Sequence, residues 1–363
     1  MTRSSADIAH RRLANQQLLT PTLTDPAEVV RRLGAVQAQD YAGAKWGVAL
    51  RTRGAVDAVV EQALSQGSIL RTHVLRPTWH FVTPADIRWM LALTAPRVKA
   101  AIAYYDRQLE LDEAVLRRSK AALTRALRDG QALTRAELAQ VLRRAHVDAT
   151  GSQRLGHLLM HAELDGVVCS GARRGKQATY ALLEERAPPA APLVRDEALL
   201  ELTRRYFATR GPATLKDFAW WSGLTLADAR KAVQIAGRRL EREVIGDETY
   251  WHDPAVRSPR KRSPTAHLLP NFDEYVVGFE NRSAVAKRLR STGSPTPDAA
   301  LLAHAIVVDG QVVGGWKRTL AKTGVLVEMT PRAALSASEK RAVAGAAKAF
   351  GAFLALPLQL RGL

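Results

Sequence analysis

Gly130–Ala145 reads GQALTRAELAQVLRRA, and the fold is decided by how this stretch is read. Thr134 stands three residues ahead of Glu137, and Leu138 and Ala139 follow. A hydroxyl three residues before an acidic side chain, at the head of an apolar pattern, closes a reciprocal cap on a helix N-terminus. The same arrangement recurs from Gly211, 81 residues further on, as GPATLKDFAWWSGL, with Thr214, Asp217, Phe218 and Ala219. Each stretch leads into a second helix, GSQRLGHLLMHAELDG in the first case and TLADARKAVQIAG in the second. Each second helix leads into a two-strand pattern. VVCSGARRGKQATYALL turns within Gly171–Gly175, and LEREVIGDETYWHD turns at Gly246-Asp247. A Gly-Asp pair flanked by alternating residues is a hairpin signal. Helices followed by a hairpin, repeated along the chain, make the winged-helix plan.

The first part of the chain reads the same way. A helix is expected over Asp7–Leu19. Asp25 caps a second over Pro26–Leu33, with proline at the first helical position. A third covers Ala55–Gln66, and extended stretches Ile69–Leu75 and Thr78–Val82 hinge at Arg76-Pro77. Pro84 opens a long linking helix to about Glu110. Pro188–Pro192 and Pro254–Pro264 read as linkers, the latter with Arg257, Arg260, Lys261 and Arg262. Beyond it, HLLPNFDEYVVGF, HAIVVDGQVVGGW and TGVLVEM read as strands, with a hairpin at Asp309-Gly310. Ser336, with Glu339 three later, caps a final helix to Leu354. The expected fold is α+β and mostly α: winged-helix units over 1–110, 111–190 and 191–264, then a β-rich region with a terminal helix over 265–363.

The chain has 363 residues, a hydrophobic share of 47% and a formal net charge of +18. That apolar share supports a sizeable core and argues against wholesale disorder. No apolar run approaches the ~18 residues of a membrane span. The N-terminus MTRSSADIAHRR lacks the apolar core of a secretory signal, so the cytoplasm is the expected location. A single cysteine, Cys169, excludes a disulfide framework and a cysteine-rich zinc site. The charge is spread through folded-looking segments, which favours a polyanion partner, most often nucleic acid.

No nucleotide-binding, zinc-protease or serine-hydrolase signature occurs. His157 and His161 stand four apart on a helix, a spacing that can hold zinc. No carboxylate or cysteine completes the set in sequence, so no metal or organic cofactor is expected. His73 and His80 read as hydrogen-bonded structural groups. The stretch Val36-Gln37-Ala38-Gln39-Asp40 follows a helix that ends near Gly34. In extended backbone, residues two apart face one side, so Gln37 and Gln39 present two amides together, or are simply two surface glutamines.

These residues carry a resemblance. VQAQD, with RTHVLRPTWHFVTPAD and LLPNFDEYVVGF behind it, is similar to the AlkZ/YcaQ-type winged-helix DNA glycosylases over most of the chain. The AlkZ-type branch carries Gln-x-Gln where Gln37 and Gln39 stand, and the YcaQ-type branch has Asp in the second place. The resemblance implies a monofunctional glycosylase that hydrolyses the N-glycosidic bond of cationic N-alkylpurines such as N7-alkylguanine and unhooks interstrand crosslinks. It implies resistance to a DNA-alkylating antibiotic, and a concave basic channel around duplex DNA.

The implied chemistry suits two amides. An amide does not titrate near neutral pH, so it is no general base. An N7-alkylated guanine is already cationic and leaves readily, so positioning matters more than proton transfer. Gln37 and Gln39 are expected to hold water beneath C1′, with carbonyl oxygens facing the developing positive charge. Asp40 reads as a helix-end or salt-bridge group. Candidate phosphate contacts are Arg173, Arg174 and Lys176, then Arg282, Lys287, Arg288 and Arg290, then Lys317 and Arg318. Trp79 and Trp316 are candidates for stacking on DNA, with core packing the better reading for Trp79. A monomer is expected, since tandem units already repeat the contacts. The alternative is a non-catalytic winged-helix DNA-binding protein, either a transcription regulator or a drug-sequestering resistance protein.

Overall fold

The computed structural model describes residues 5–256, 264–293 and 301–363, and is α+β, about half of it helical. Two compact units divide it. One comprises Met1–Glu61, Leu200–Trp221 and Thr225–Leu363; the other comprises Gln62–Leu199 and Ser222–Leu224.

The discontinuous unit begins with helices Ser5–Asn15 and Pro26–Leu33. The first is shorter than Asp7–Leu19 at its C-terminal end. The second is capped as expected: the Asp25 carboxylate accepts the Ala27 N–H at 2.9 Å, and Pro26 occupies the first turn. Helix Tyr41–Ala49 follows. Helices Leu215–Ser222 and Leu226–Ala236 precede hairpin Glu241–Ile245/Glu248–His252. Thr214 and Asp217 exchange backbone–side-chain bonds at 3.0 and 3.1 Å. Thr225 and Asp228 do so at 3.2 and 3.0 Å.

The β-rich part is a five-stranded sheet in the order Leu358–Arg361, Gly324–Pro331, Gln311–Ala321, Ala305–Val308, Ala266–Leu269. Its pairs are antiparallel except the last-formed one, where Leu358–Arg361 runs parallel to Gly324–Pro331. Asp309 and Gly310 take φ of +46° and +80°, the double positive turn that matches strand twist. Helix Ala337–Leu354, capped by Ser336 and Glu339, covers the sheet through Phe350 and Phe353. Phe350 packs edge-on against Trp46 and Trp316, at 5.2 and 5.0 Å between ring centroids. A parallel strand after the final helix was not expected from the sequence.

LLPNFDEYVVGF differs from the reading as a strand. Strand geometry stops at Leu269. Asp273 then accepts the Tyr275 N–H and caps a single helical turn, Glu274–Val277. The β-branched pair Val276-Val277 suggested extension, and the cap overrode it.

The second unit holds hairpin Leu70–Val74/Arg76–Val82 and the long helix Pro84–Gln108. The hairpin bends at Leu75, which takes a φ of +64°, one residue before the expected Arg76-Pro77 hinge. Next come helix Glu113–Leu127, strand Leu133–Thr134, helices Arg135–Arg144 and Ser152–Leu164, and strands Val168–Ser170 and Thr179–Leu182. The short strands form one sheet with Thr179–Leu182 in the middle. Leu123, Leu138, Leu142, Leu158 and Leu159 fill the core beneath it. Thr134 and Glu137 form the full reciprocal cap. Of the second linker, Arg257, Arg260, Lys261 and Arg262 lie outside the described residues. No described helix is long and apolar enough to cross a membrane.

Candidate active site

Helix Pro26–Leu33 stops because Gly34 adopts a φ of 81°, a conformation that glycine takes without a Cβ penalty. The chain then runs extended through Val36–Gln37 and bends at Gln39 and Asp40 into the next helix. Gln37 is buried, at 7% exposure, whereas Gln39 is exposed. The two-residue alternation therefore covers Gln37 only, and the bend sets the direction of Gln39.

This short segment is held from beneath by a closed polar network. The Gln37 N–H donates to Oε1 of Glu274 at 2.8 Å. The other carboxylate oxygen of Glu274 accepts from Arg210 Nη2 at 2.6 Å and from Trp221 Nε1 at 3.0 Å. Arg210 also donates through Nε to the same Glu274 oxygen at 3.2 Å, to the Thr209 hydroxyl at 3.0 Å, and to the carbonyls of Leu33 and Ala35 at 2.8 and 3.2 Å, and its guanidinium lies 4.3 Å from the Trp221 ring centre. Arg210 and Glu274 are both fully buried. A buried ion pair is tolerated only when its remaining polar atoms are bonded, and here they tie the helix end, the strand and the one-turn helix together.

The other carboxylates near the motif are also engaged. Asp40 caps helix Tyr41–Ala49 by accepting the Gly43 N–H at 3.0 Å. Its second oxygen meets Asn271 Nδ2 at 3.4 Å and Arg318 at 3.8 Å. This is the helix-end and salt-bridge role read from the sequence. Asp273 takes a two-pronged bond from Arg51, at 2.9 and 2.7 Å. Lys45, buried on the helix after the motif, bonds Asp57 and Glu61 at 2.9 and 2.7 Å.

The proposed DNA contacts have mixed environments. Lys176, Lys287, Arg290 and Lys317 are exposed. Arg174 is exposed but bonds Glu137; the Thr134 backbone N–H, and after it this bond, hold the Glu137 carboxyl down at about 2. Arg173 bonds the carbonyl of Lys176. Arg288 pairs with Glu339 at 2.5 Å. Arg318 is half-buried beside Asp40 and over Phe350. Arg282 is buried, at 7% exposure, bonded to the Val276 carbonyl at 3.3 Å and set over Trp220. That environment makes Arg282 part of the packing around the one-turn helix. Trp316 is core, its Nε1 bonded to the Leu269 carbonyl at 2.8 Å. Trp79 is half-buried between Arg71 and His73 and donates to Glu163 at 3.3 Å.

The histidines read as structural are bonded within the second unit. His73 meets Glu163, and His80 Nδ1 meets the Thr78 carbonyl at 2.9 Å. His157 and His161 share one carboxylate, Asp106, at 2.8 and 2.9 Å. Among the described residues no group of three or more such side chains is placed to hold a metal. Burial pushes the Cys169 thiol up to about 12, which leaves it inert at neutral pH.

Sequence reasoning missed Arg210, Glu274, Trp221 and Arg51. A signal for Glu274 existed: an Asp-Glu pair enclosed by apolar residues in NFDEYVVGF is unusual unless both charges are partnered.

Comparison with known proteins identifies the family and the fold. The family model described as "DNA glycosylase AlkZ-like" matches residues 30–353. A curated relative, the interstrand DNA cross-link repair glycosylase of Streptomyces sahachiroi, is 27% identical over 326 residues, covering 84% of this chain and 85% of its own. The solved structure of Streptomyces sahachiroi DNA glycosylase AlkZ shares the fold with a TM-score of 0.79 at 23% identity, covering 99% of this chain and 100% of that one. With a family match that runs from the helix before Gln37 to the last helix of the β-rich region, the chain belongs to the AlkZ-like DNA glycosylases.

Proposed function

We propose that this protein hydrolyses the N-glycosidic bond of cationic N-alkylpurines, N7-alkylguanine among them, and unhooks interstrand crosslinks, with Gln37 and Gln39 positioning the attacking water. The observation that carries the reading is the engagement of the acidic groups described around the motif. Glu274 is locked to Arg210, Asp273 to Arg51, and Asp40 serves as a helix cap. The motif itself contributes amides. A leaving group that already bears positive charge suits such a site, because it departs without protonation and needs a placed water more than a strong base. Amide carbonyls facing the sugar stabilise the developing oxocarbenium charge.

The Streptomyces sahachiroi relative is an interstrand DNA cross-link repair glycosylase, which supports the crosslink part of the proposal. Resistance to a DNA-alkylating antibiotic follows from the same activity. We read the segments 1–110, 111–190 and 191–264 as winged-helix units that grip duplex DNA, ahead of the β-rich region 265–363. The protein works as a monomer in the cytoplasm, without metal or organic cofactor.

The test is base release from duplex DNA carrying N7-methylguanine, and from the same duplex crosslinked through N7 of guanine. Wild type releases the base. Gln37→Ala/Gln39→Ala loses about 100-fold or more of the rate, the scale of losing positioned polar groups at a reaction centre, while its DNA affinity stays within a few-fold. Equal release by both proteins would overturn the role of the amides. No release by either, with DNA bound equally, would make this a binding protein.

A further inference from the structure

A second concave site lies in the β-rich region of the same unit, outside the polar network around Gln37. It is a pocket of about 400 Å³ lined by Leu289, His304, Gly315, Lys317, Thr330 and Arg332, among others. Helix Ser283–Arg290 contributes Leu289, and strands Gln311–Ala321 and Gly324–Pro331 contribute the middle of the sheet. A volume in the range of a few hundred Å³ fits one small ligand rather than a macromolecular surface.

Three features make this pocket unlike an ordinary surface dent. Its cations are uncommitted: Lys317 and Arg332 are exposed and make no side-chain ion pair or hydrogen bond among the described residues. Glu328 stands opposite Lys317 in the strand register, yet the two form no ion pair within 4 Å. Next, the imidazole of His304 lines one wall of the pocket, with its Nε2 atom turned away from water. The ring packs edge-on to Trp316, with centroids 4.9 Å apart. Finally, space is kept open by glycine. A Cβ at Gly315 would meet only the His304 carbonyl, at 3.4 Å, which is ordinary contact. Strand geometry does not demand glycine there, so a larger side chain would project into free volume.

Along the strand the side chains of Lys317 and Arg318 alternate to opposite faces. Lys317 is next to Arg318, which pairs with Asp40 at 3.8 Å, and Asp40 follows Gln39 directly. Burial and the nearby Arg318 charge push His304 below its ordinary range, against the opposing pull of Asp40. The ring is therefore neutral at pH 7.

We propose that this pocket takes a single nucleotide unit of the DNA substrate, its phosphate on Lys317 and Arg332 and its sugar or base against His304 and the apolar floor. The inference rests on the glycosylase reading for the source of the nucleotide, but not for the existence of the site.

The experiment measures equilibrium binding of a duplex carrying a tetrahydrofuran abasic analogue across a salt series. The proteins compared are wild type, Lys317→Gln/Arg332→Gln, Gly315→Leu and His304→Gln, each checked for native circular dichroism and melting. The expected result is about tenfold weaker binding for the charge variant. Its log affinity–log salt slope falls by about 0.9, the loss of one phosphate contact. Gly315→Leu, which keeps both charges and fills the pocket, weakens binding with the slope changed far less. In a competition arm, dGMP displaces the duplex from wild type at lower concentration than inorganic phosphate does, and this preference disappears in Gly315→Leu and His304→Gln. Equal competition by phosphate and dGMP would reduce the site to a general anion site and overturn the nucleotide assignment. Folded variants that bind like wild type with an unchanged slope would overturn the site altogether. Base release by wild type is scored separately: if it is absent while the binding results hold, the glycosylase reading fails and the nucleotide pocket stands.

Discussion

The backbone N–H of Gln37 donates to the carboxylate of Glu274 at 2.8 Å across 237 positions of sequence. The backbone of the Gln-x-Gln motif is thus held by a side chain with no exposure to solvent, itself held by Arg210 and Trp221. Removing that carboxylate does two things at once. It frees the strand, and it leaves Arg210 buried and unpaired. Glu274→Ala is expected to lose about 3–5 kcal/mol of stability, the usual cost of breaking one side of a buried ion pair. Urea unfolding measures this. The isosteric Glu274→Gln keeps an acceptor for Gln37 and should fold better than the alanine variant.

Asp40 is next to Gln39, and its position invites a reading as general base. Its cap geometry and its contact with Asn271 give it other work. Asparagine caps helices about as well as aspartate. Asp40→Asn is therefore expected to release base within a few-fold of wild type with an unchanged pH–rate profile. A drop of about 10²–10⁴-fold would instead assign Asp40 the proton-transfer role.

Strand cleavage by a glycosylase requires an amine that attacks the sugar and forms a Schiff base. The lysine nearest the motif in sequence, Lys45, has its ammonium tied to Asp57 and Glu61. Sodium borohydride should leave no covalent protein–DNA adduct, and the product should be an intact strand with an abasic site. A trapped band on a denaturing gel would show that a free amine reaches C1′.

His267 lies on the first strand of the five-stranded sheet, its Nε2 without a partner. Burial, with the Arg51 charge adding to it, pushes this ring down to about 4. Its ordinary value of about 6.5 applies once the chain unfolds. Above that value the neutral ring costs nothing. As pH falls from 6.5 towards 4, the unfolded chain takes up a proton that the folded one refuses, and stability drops by roughly 3 kcal/mol at most. His267→Leu should flatten that part of the stability–pH curve, read by urea midpoints at pH 7 and pH 5.

Much of this was legible because the signals are local. Asp25, Pro26 and Gly34 mark both ends of one helix within ten residues, and Thr134 with Glu137 and Ser336 with Glu339 do the same for helix starts. Asp309-Gly310 announces its hairpin because so few residue pairs accept two positive φ angles. The clamp on Gln37 was not legible, because Arg210 and Glu274 are distant in sequence from the motif and from each other, and no spacing rule connects them. The one-turn helix at Glu274–Val277 was misread because its cap, Asp273, competes with strand-forming neighbours. Leu75 defeats the eye differently: a bulky residue at positive φ is costly, and proline two positions on drew the turn to itself.

The division of the chain also sets a timetable. The first 61 residues, Gln37 included, share their unit with residues from 200 onwards, while most of the other unit lies between them. At a synthesis rate of about 5–20 residues per second, the ribosome needs roughly 12 to 47 s to pass from Gln37 to its clamp at Glu274. Through that interval the intervening unit can condense as a continuous stretch, but the Gln37 segment has no finished support. A chain that stops short of Glu274 therefore leaves the Gln37 strand without its clamp.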